Sequence, residues 1–277
     1  MALVPFPSQT PEPIPDDDVD PDRGDPLEPD DQDSAGKMSF LEHLDELRKR
    51  IIRAVIALFV GFIIACFFIQ RLFDFIMKPL QALLPPGGSL IFTDPTEAFV
   101  LYIKIAAIAG LLIASPAVMT QVWMFIAPGL YSHEKKMAIP FVVMSSFFFV
   151  AGAAFSHYIV FPMTWKFFVS FTTDYLTFMP RIEPAFSLYM KMLLAFGLVF
   201  QMPTVVLFLA RMGMVTAGFL WRNIKYAILI IFIIAAVVTP SADVITQTAM
   251  AGPMFLLYLL SIALAWAFGK KQITEAD

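Results

Sequence analysis

The 277-residue chain is 58% hydrophobic and only 15% charged, with a mean hydropathy of +0.74, a composition that excludes a water-soluble globular fold. Its net charge of -4 hides two unlike parts: the first 36 residues carry eleven acids and a single base, Arg23, whereas the remainder is net positive. A lone cysteine, Cys66, excludes an intrachain disulfide or paired-thiol site and reads as a packing residue.

Residues 1–36 hold eight of the 21 prolines and few aromatics, so they lack the apolar surface needed to offset the entropy of ordering. They are expected to form a disordered acidic tail. The apolar start Met1 to Phe6 is too short for the core of a secretory signal. A membrane domain is expected over 37–270, with a short tail at 271–277. It opens with an amphipathic helix over Ser39–Arg50, in which Ser39 and Glu42 have capping-box spacing and Phe40, Leu44, Leu47 and Ile51 share a face. Asp45 with Lys49 and Glu46 with Arg50 are spaced for i,i+4 ion pairs.

Six apolar segments come next, at about 51–70, 98–126, 137–160, 187–210, 224–238 and 246–268. The fold class is therefore an all-α integral membrane protein with six transmembrane helices. One side takes twelve Lys and Arg, among them Lys37, Arg48, Lys135, Lys136, Arg211, Arg222 and Lys270. The other takes at most six, counting Lys104 and Lys191 at the span mouths, where both are expected to snorkel. This bias predicts an N-in/C-in topology with both termini cytoplasmic. The last two spans are expected to be short, the fifth with only 13 uncharged residues from Tyr226 to Val238. At 1.5 Å per residue it reaches about 20 Å and must thin the bilayer or lean on protein. Pro116, Pro203 and Pro253 each remove a helical donor, which predicts a concave kinked bundle whose freed carbonyls find protein or water.

The connection Val122–Lys136 contains one acid, Glu134. It either neutralises Lys135 and Lys136 or joins Glu46 in a site for a cationic ligand, carboxylates being natural partners of guanidinium. His133-Glu134 lacks the second histidine of a zinc protease helix, since residue 137 is Met. No nucleophile elbow or phosphate-binding loop is present, so the chain reads as neither an enzyme nor a nucleotide user, and no cofactor is expected. A secondary solute carrier is the main alternative, although mid-span charges are missing. The bases line the membrane edges instead of forming one patch, against nucleic acid as a partner.

Five stretches together carry a resemblance over about residues 38–270: His43-Leu-Asp-Glu-Leu-Arg-Lys-Arg50, Phe125-Ile-Ala-Pro-Gly-Leu-Tyr-Ser-His-Glu134, Phe161-Pro162, Phe196-Gly197 with Gln201-Met-Pro203, and Thr239-Pro-Ser-Ala-Asp-Val-Ile-Thr-Gln247. In their order and spacing the chain resembles TatC, the multi-spanning subunit of the twin-arginine protein translocase. The resemblance implies a receptor in the bacterial cytoplasmic membrane for folded precursors with Arg-Arg signal peptides, driven by the proton-motive force. It implies that Glu46 and Glu134 contact the arginine pair with Arg48 and Phe125 nearby, and that Pro79, in the first extracytoplasmic loop, shapes a cap. It further implies TatA-like and TatB-like single-span partners, met by spans five and six with Asp243 and Gln247, and other copies of the chain itself. Many relatives carry glutamate where this chain has Gln201, which donates and accepts hydrogen bonds but takes up no proton.

Overall fold

The computed structural model describes residues 30–84, 88–126, 138–173, 175–239 and 244–269. The expectations for the tail before Asp30, for Glu134, for Asp243 and for 271–277 lie outside the described residues. The chain divides into two units, Met1–Asp45 and Glu46–Asp277. The described part of the first is helical. The second contains every element after the first helix and nearly all of the packing discussed below.

The described residues are helical apart from short connections, with isolated bridges at Ile91 to Arg181 and Thr173 to Leu176. Helix α1 runs over Asp30–Phe67. It does not start at Ser39, where the capping box was expected, but at Asp30, so residues 30–36, expected in the tail, belong to the helix. Next comes α2, Ile69–Ala82, an amphipathic helix that the reading by spans passed over as loop. It buries Ile76, Met77 and Leu80 and contains Pro79, which therefore sits on a helix within the connection between the first two spans.

The second span is α3, Pro95–Ile126. Its N-terminus is capped by Asp94, whose side chain accepts from the Thr96 amide at 2.8 Å and from the Thr96 hydroxyl at 2.6 Å. These bonds hold the Asp94 carboxyl below its ordinary range, so the cap is in place at neutral pH and is lost as acid protonates it. Pro116 cannot donate to the Leu112 carbonyl one turn back, and the Ser115 hydroxyl does so instead at 2.8 Å. A side chain thus satisfies the acceptor that the proline frees, as the lipid interior requires.

The third span continues past the expected end at 160. Helix α4, Ala138–Phe155, passes through a π-turn at Ser156–Val160 into α5, Phe161–Val169. In the π-turn the Phe161 amide donates to the Ser156 carbonyl, five residues back, just ahead of Pro162, which has no amide hydrogen to give. The fourth span is divided into α6, Ile182–Val199, and α7, Met202–Arg211, with the break at Phe200 and Gln201 and Pro203 in the first turn of α7. Helix α7 ends in a Schellman motif: Gly213 takes φ +78, the Gly213 amide donates to the Ala210 carbonyl and the Met214 amide to the Leu209 carbonyl.

Helices α8, Ala217–Arg222, and α9, Ile224–Val238, lead into the last helix, α10, Val244–Phe268. The fifth span has 15 residues, about 22 Å, and is short as expected. The sixth is not: its 25 residues extend about 37 Å, since the whole expected segment 246–268 is helical and Val244 and Ile245 add two residues at its start. Among the described residues five helical runs are long and apolar enough to cross a membrane, Glu42–Phe67, Pro95–Ile126, Ile139–Val169, Ile182–Arg211 and Thr246–Phe268, with Ile224–Val238 as a shorter apolar helix.

The largest core gathers around α6, whose Phe186, Tyr189, Met192 and Phe196 are buried against Ile105 of α3, Phe161 of α5 and Met254 of α10. Two polar contacts cross it: the Tyr189 hydroxyl and the His157 Nδ1 lie 3.1 Å apart, and the Tyr258 hydroxyl donates to the Leu220 carbonyl at 2.8 Å. Helices α1 and α3 instead meet through small residues, Gly61 and Ala65 against Ala106, Ala109 and Gly110. That is how helices approach closely in lipid, where packing replaces the hydrophobic effect. Cys66, next to Ala65, points outward and is exposed, so it does not pack the interior as expected: one residue along a helix turns the side chain through about 100°.

Candidate functional site

Glu46 lies on α1, where the acid-to-base order of the sequence puts Arg50 one turn ahead. The expected i,i+4 pair forms, with Arg50 Nη2 donating to Glu46 Oε1 at 2.7 Å. The Glu46 side chain remains 33% exposed, whereas that of Arg50 is only 14% exposed. The other end of the same guanidinium, Nη1, lies 3.5 Å from the Met124 sulfur on the last turn of α3. Phe125, the next residue along α3, is half-buried, and Arg48 is exposed on α1. Arg50 therefore joins Glu46 to the end of α3 on which Phe125 sits. Sequence reading treated Arg50 only as a helix-surface partner.

On the same turn of α3, Trp123 lies on the neighbouring face, turned into the protein. Its indole Nε1 donates to the Ser145 hydroxyl of α4 at 2.7 Å, and its ring packs between Phe141 and Phe208. The carbonyl of the same Ser145 accepts from Gln201 Nε2 at 2.9 Å. Gln201 thus bonds across to α4 and not to the Val199 carbonyl that Pro203 leaves free one turn back. Three consecutive residues, Trp123, Met124 and Phe125, place two polar groupings on neighbouring faces of one helix end. Ser145→Ala should strand the buried indole N–H at a cost of about 1 kcal/mol. Thermal unfolding in detergent followed by tryptophan fluorescence should show it as a lowered transition. Ser146→Ala, which removes only a bond to the Val142 carbonyl of its own helix, should leave that transition nearly unmoved.

The remaining candidates sit elsewhere. Gln247 of α10 donates to the Phe232 carbonyl of α9 at 2.9 Å, tying the last two spans together. Pro116 and Pro79 lie within α3 and α2.

A second polar cluster lies at the far end of α3, and sequence reading missed it. Glu97, only 8% exposed, pairs with Arg181 and accepts from the Thr93 hydroxyl at 3.3 Å. Two turns along α3, Lys104 Nζ lies 2.7 Å from Glu183 Oε1, which also accepts from Ser187 at 3.0 Å. Lys104 does not snorkel outward as expected, because an acid on α6 stands opposite it. The pattern was available: Glu97 and Lys104 are seven residues apart on one helical face, and Arg181 and Glu183 supply the complementary charges in matching order at the start of α6. Nothing in the sequence indicated that the two segments face each other. Among the described residues no three His, Cys, Asp or Glu side chains converge as a metal would require. The charge chemistry available is ion pairing, with a partly exposed carboxylate that already holds a guanidinium.

Comparison with known proteins gives a consistent picture. The family model for TatC, the Sec-independent protein translocase protein, matches residues 42–253. A Sec-independent protein translocase protein TatC from Desulforapulum autotrophicum is 46% identical over 241 residues, covering 87% of this chain and 89% of the relative. One of the same description from Koribacter versatilis is 41% identical over 238 residues, covering 85% and 88%. A crystal structure described as the twin arginine translocase receptor TatC in DDM superposes with a TM-score of 0.72 at 40% identity, covering 80% of this chain and 99% of the other.

Proposed function

This chain belongs to the TatC family of Sec-independent protein translocases, as a non-enzymatic membrane component of twin-arginine protein transport, and on that premise we propose that it is the receptor subunit for Arg-Arg signal peptides. In this reading Glu46 and Glu134 take the two guanidinium groups, with Phe125 and Arg48 beside them. The protein resides in the bacterial cytoplasmic membrane with both termini cytoplasmic. Transport of the folded precursor draws on the proton-motive force. Gln201, Gln247 and Asp243 serve contacts with TatA-like and TatB-like single-span subunits, and further copies of the chain complete the receptor.

One observation carries the reading: Glu46 already engages a guanidinium at 2.7 Å while a third of its side chain stays open to solvent. A carboxylate so placed suits a guanidinium better than an ammonium, because the planar fork makes paired, charge-assisted bonds. The lysine-rich edge of the sequence argues for the cytoplasmic side of the membrane. The 15-residue fifth span supports a locally thinned bilayer beside the docking face.

The test is site-specific photocrosslinking from position 134 in inverted membrane vesicles, to a precursor with an Arg-Arg signal and to its Lys-Lys counterpart. Both signals carry the same charge, so crosslinking confined to the Arg-Arg precursor is the expected result. Equal crosslinking to both, or none to either, would remove Glu134 from the site and leave it as a counter-charge for Lys135 and Lys136.

A further inference from the structure

We infer that Arg50 is a resident competitor for the receptor carboxylate: the chain's own guanidinium occupies Glu46 and must be displaced before a signal-peptide arginine can take its place. The inference rests on the reading of Glu46 as a signal-peptide ligand and adds what sets the affinity of that site.

The bond that forms is to Arg50. Of the other bases nearby on α1, Arg48 is two residues from Glu46 and projects from another side of the helix, Arg53 is seven away and about 10 Å along the axis, and Lys49, at i+3, shares the side of Glu46 but has the less favoured spacing. Arg50, at i+4 with the acid on the N-terminal side, has the favoured spacing and order, and its Nη2 makes the 2.7 Å bond. Its second nitrogen rests against the Met124 sulfur at 3.5 Å, so the guanidinium is held from two helices and not by α1 alone. Because Arg50 is the more covered partner and Glu46 the more open, an incoming group meets the carboxylate first and the resident arginine behind it.

A competitor of this kind lowers the apparent affinity of every cationic ligand by the same factor, namely one plus the closing constant of the internal pair. It does not by itself favour arginine over lysine. It raises the threshold that either must pass, and the planar fork of arginine passes it more readily than the hydrated ammonium of lysine. Arg50 is thus an affinity-setting residue of the site. An i,i+4 pair of this partial exposure is closed a few times more often than open, so removing the competitor should tighten binding by about threefold to sixfold.

The experiment measures binding of a fluorophore-labelled synthetic peptide, Arg-Arg followed by an apolar segment, to the full chain in lipid nanodiscs. Arg50→Gln should tighten binding by about threefold to sixfold, and the same factor should appear for the Lys-Lys peptide. Arg50→Lys, which keeps the charge but pairs less well, should fall between. Arg53→Gln removes an equal charge without touching Glu46 and should change affinity by less than about twofold. In the background of Glu46→Gln, which should itself weaken binding, Arg50→Gln should give no gain.

If Glu46→Gln weakens binding while Arg50→Gln leaves it unchanged or weaker, the competitor is refuted and the receptor site stands. An equal gain from Arg53→Gln would refute it too, by reducing the effect to bulk charge. If Glu46→Gln leaves binding unchanged, the site itself is wrong and the competitor falls with it.

Discussion

Gly110→Leu is expected to separate the first span from the second and to destabilise the protein by about 3 kcal/mol or more. A Cβ at position 110 would lie 2.6 Å from the Phe62 backbone nitrogen and 2.7 Å from its Cα, and one at Gly61 would collide with the Gly110 carbonyl. The obstruction is backbone, which has no rotamer to change, so the two helices can accommodate a side chain only by moving apart and losing the contacts among Ala65, Ala106 and Ala109. Gly252→Leu on α10 is the matched control: nothing lies within 4 Å of a Cβ there, and the change replaces a poor helix former by a good one. Thermal unfolding of both variants in the same detergent should show a large loss for the first and no loss for the second. Similar transitions for the two would mean that α1 is not held by this close approach.

The second large effect is expected from Arg181→Leu. Its guanidinium is half exposed, but the carboxylate that it serves, Glu97, is 8% exposed and, among the described residues, has the Thr93 amide and hydroxyl as its further partners. Removing one member of such a pair strands the other, at a cost of about 2 kcal/mol after allowing for solvent around Arg181. Adding Glu97→Gln to Arg181→Leu should recover most of the loss, because a neutral amide keeps hydrogen bonds to Thr93 without a stranded charge. A double-mutant cycle read by thermal unfolding gives the coupling directly. Additive losses would show that the two side chains do not act as a pair.

How far the sequence alone reached depends on the kind of signal. The apolar runs at 98–126, 187–210, 224–238 and 246–268 fall on helices, because a lipid interior demands internally bonded backbone and about 20 apolar residues per crossing. Helix α2 went unseen since its 14 residues are amphipathic, a pattern that a search for uniform hydropathy passes over. The π-turn before Pro162 went unread, and the break at Gln201 was visible only as Pro203. A missing donor announces a disturbance, while the way it is resolved depends on which side chains and neighbouring helices are within reach. Of the candidate site, Glu46 with Arg50 was legible because i,i+4 contacts lie within one helix. The Met124 contact, the bonds of Ser145 to Trp123 and Gln201, and the pairing of Glu97 with Arg181 were not, since each joins segments remote in the chain.

By itself the sequence determined the properties that composition and local period dictate: a helical membrane protein, its apolar segments with a short fifth, a lysine- and arginine-rich edge, and a carboxylate paired one turn along. The tertiary structure decided which faces meet. It turned Cys66 outward and Ala65 inward, brought Gly61 against Gly110, set Lys104 opposite Glu183, and anchored Arg50 on α3 with Glu46 as the more open partner. The physical reason is that in an apolar solvent hydropathy no longer distinguishes inside from outside. The choice of buried face passes to shape and to a few polar bonds, and these are properties of two helices together and never of one alone.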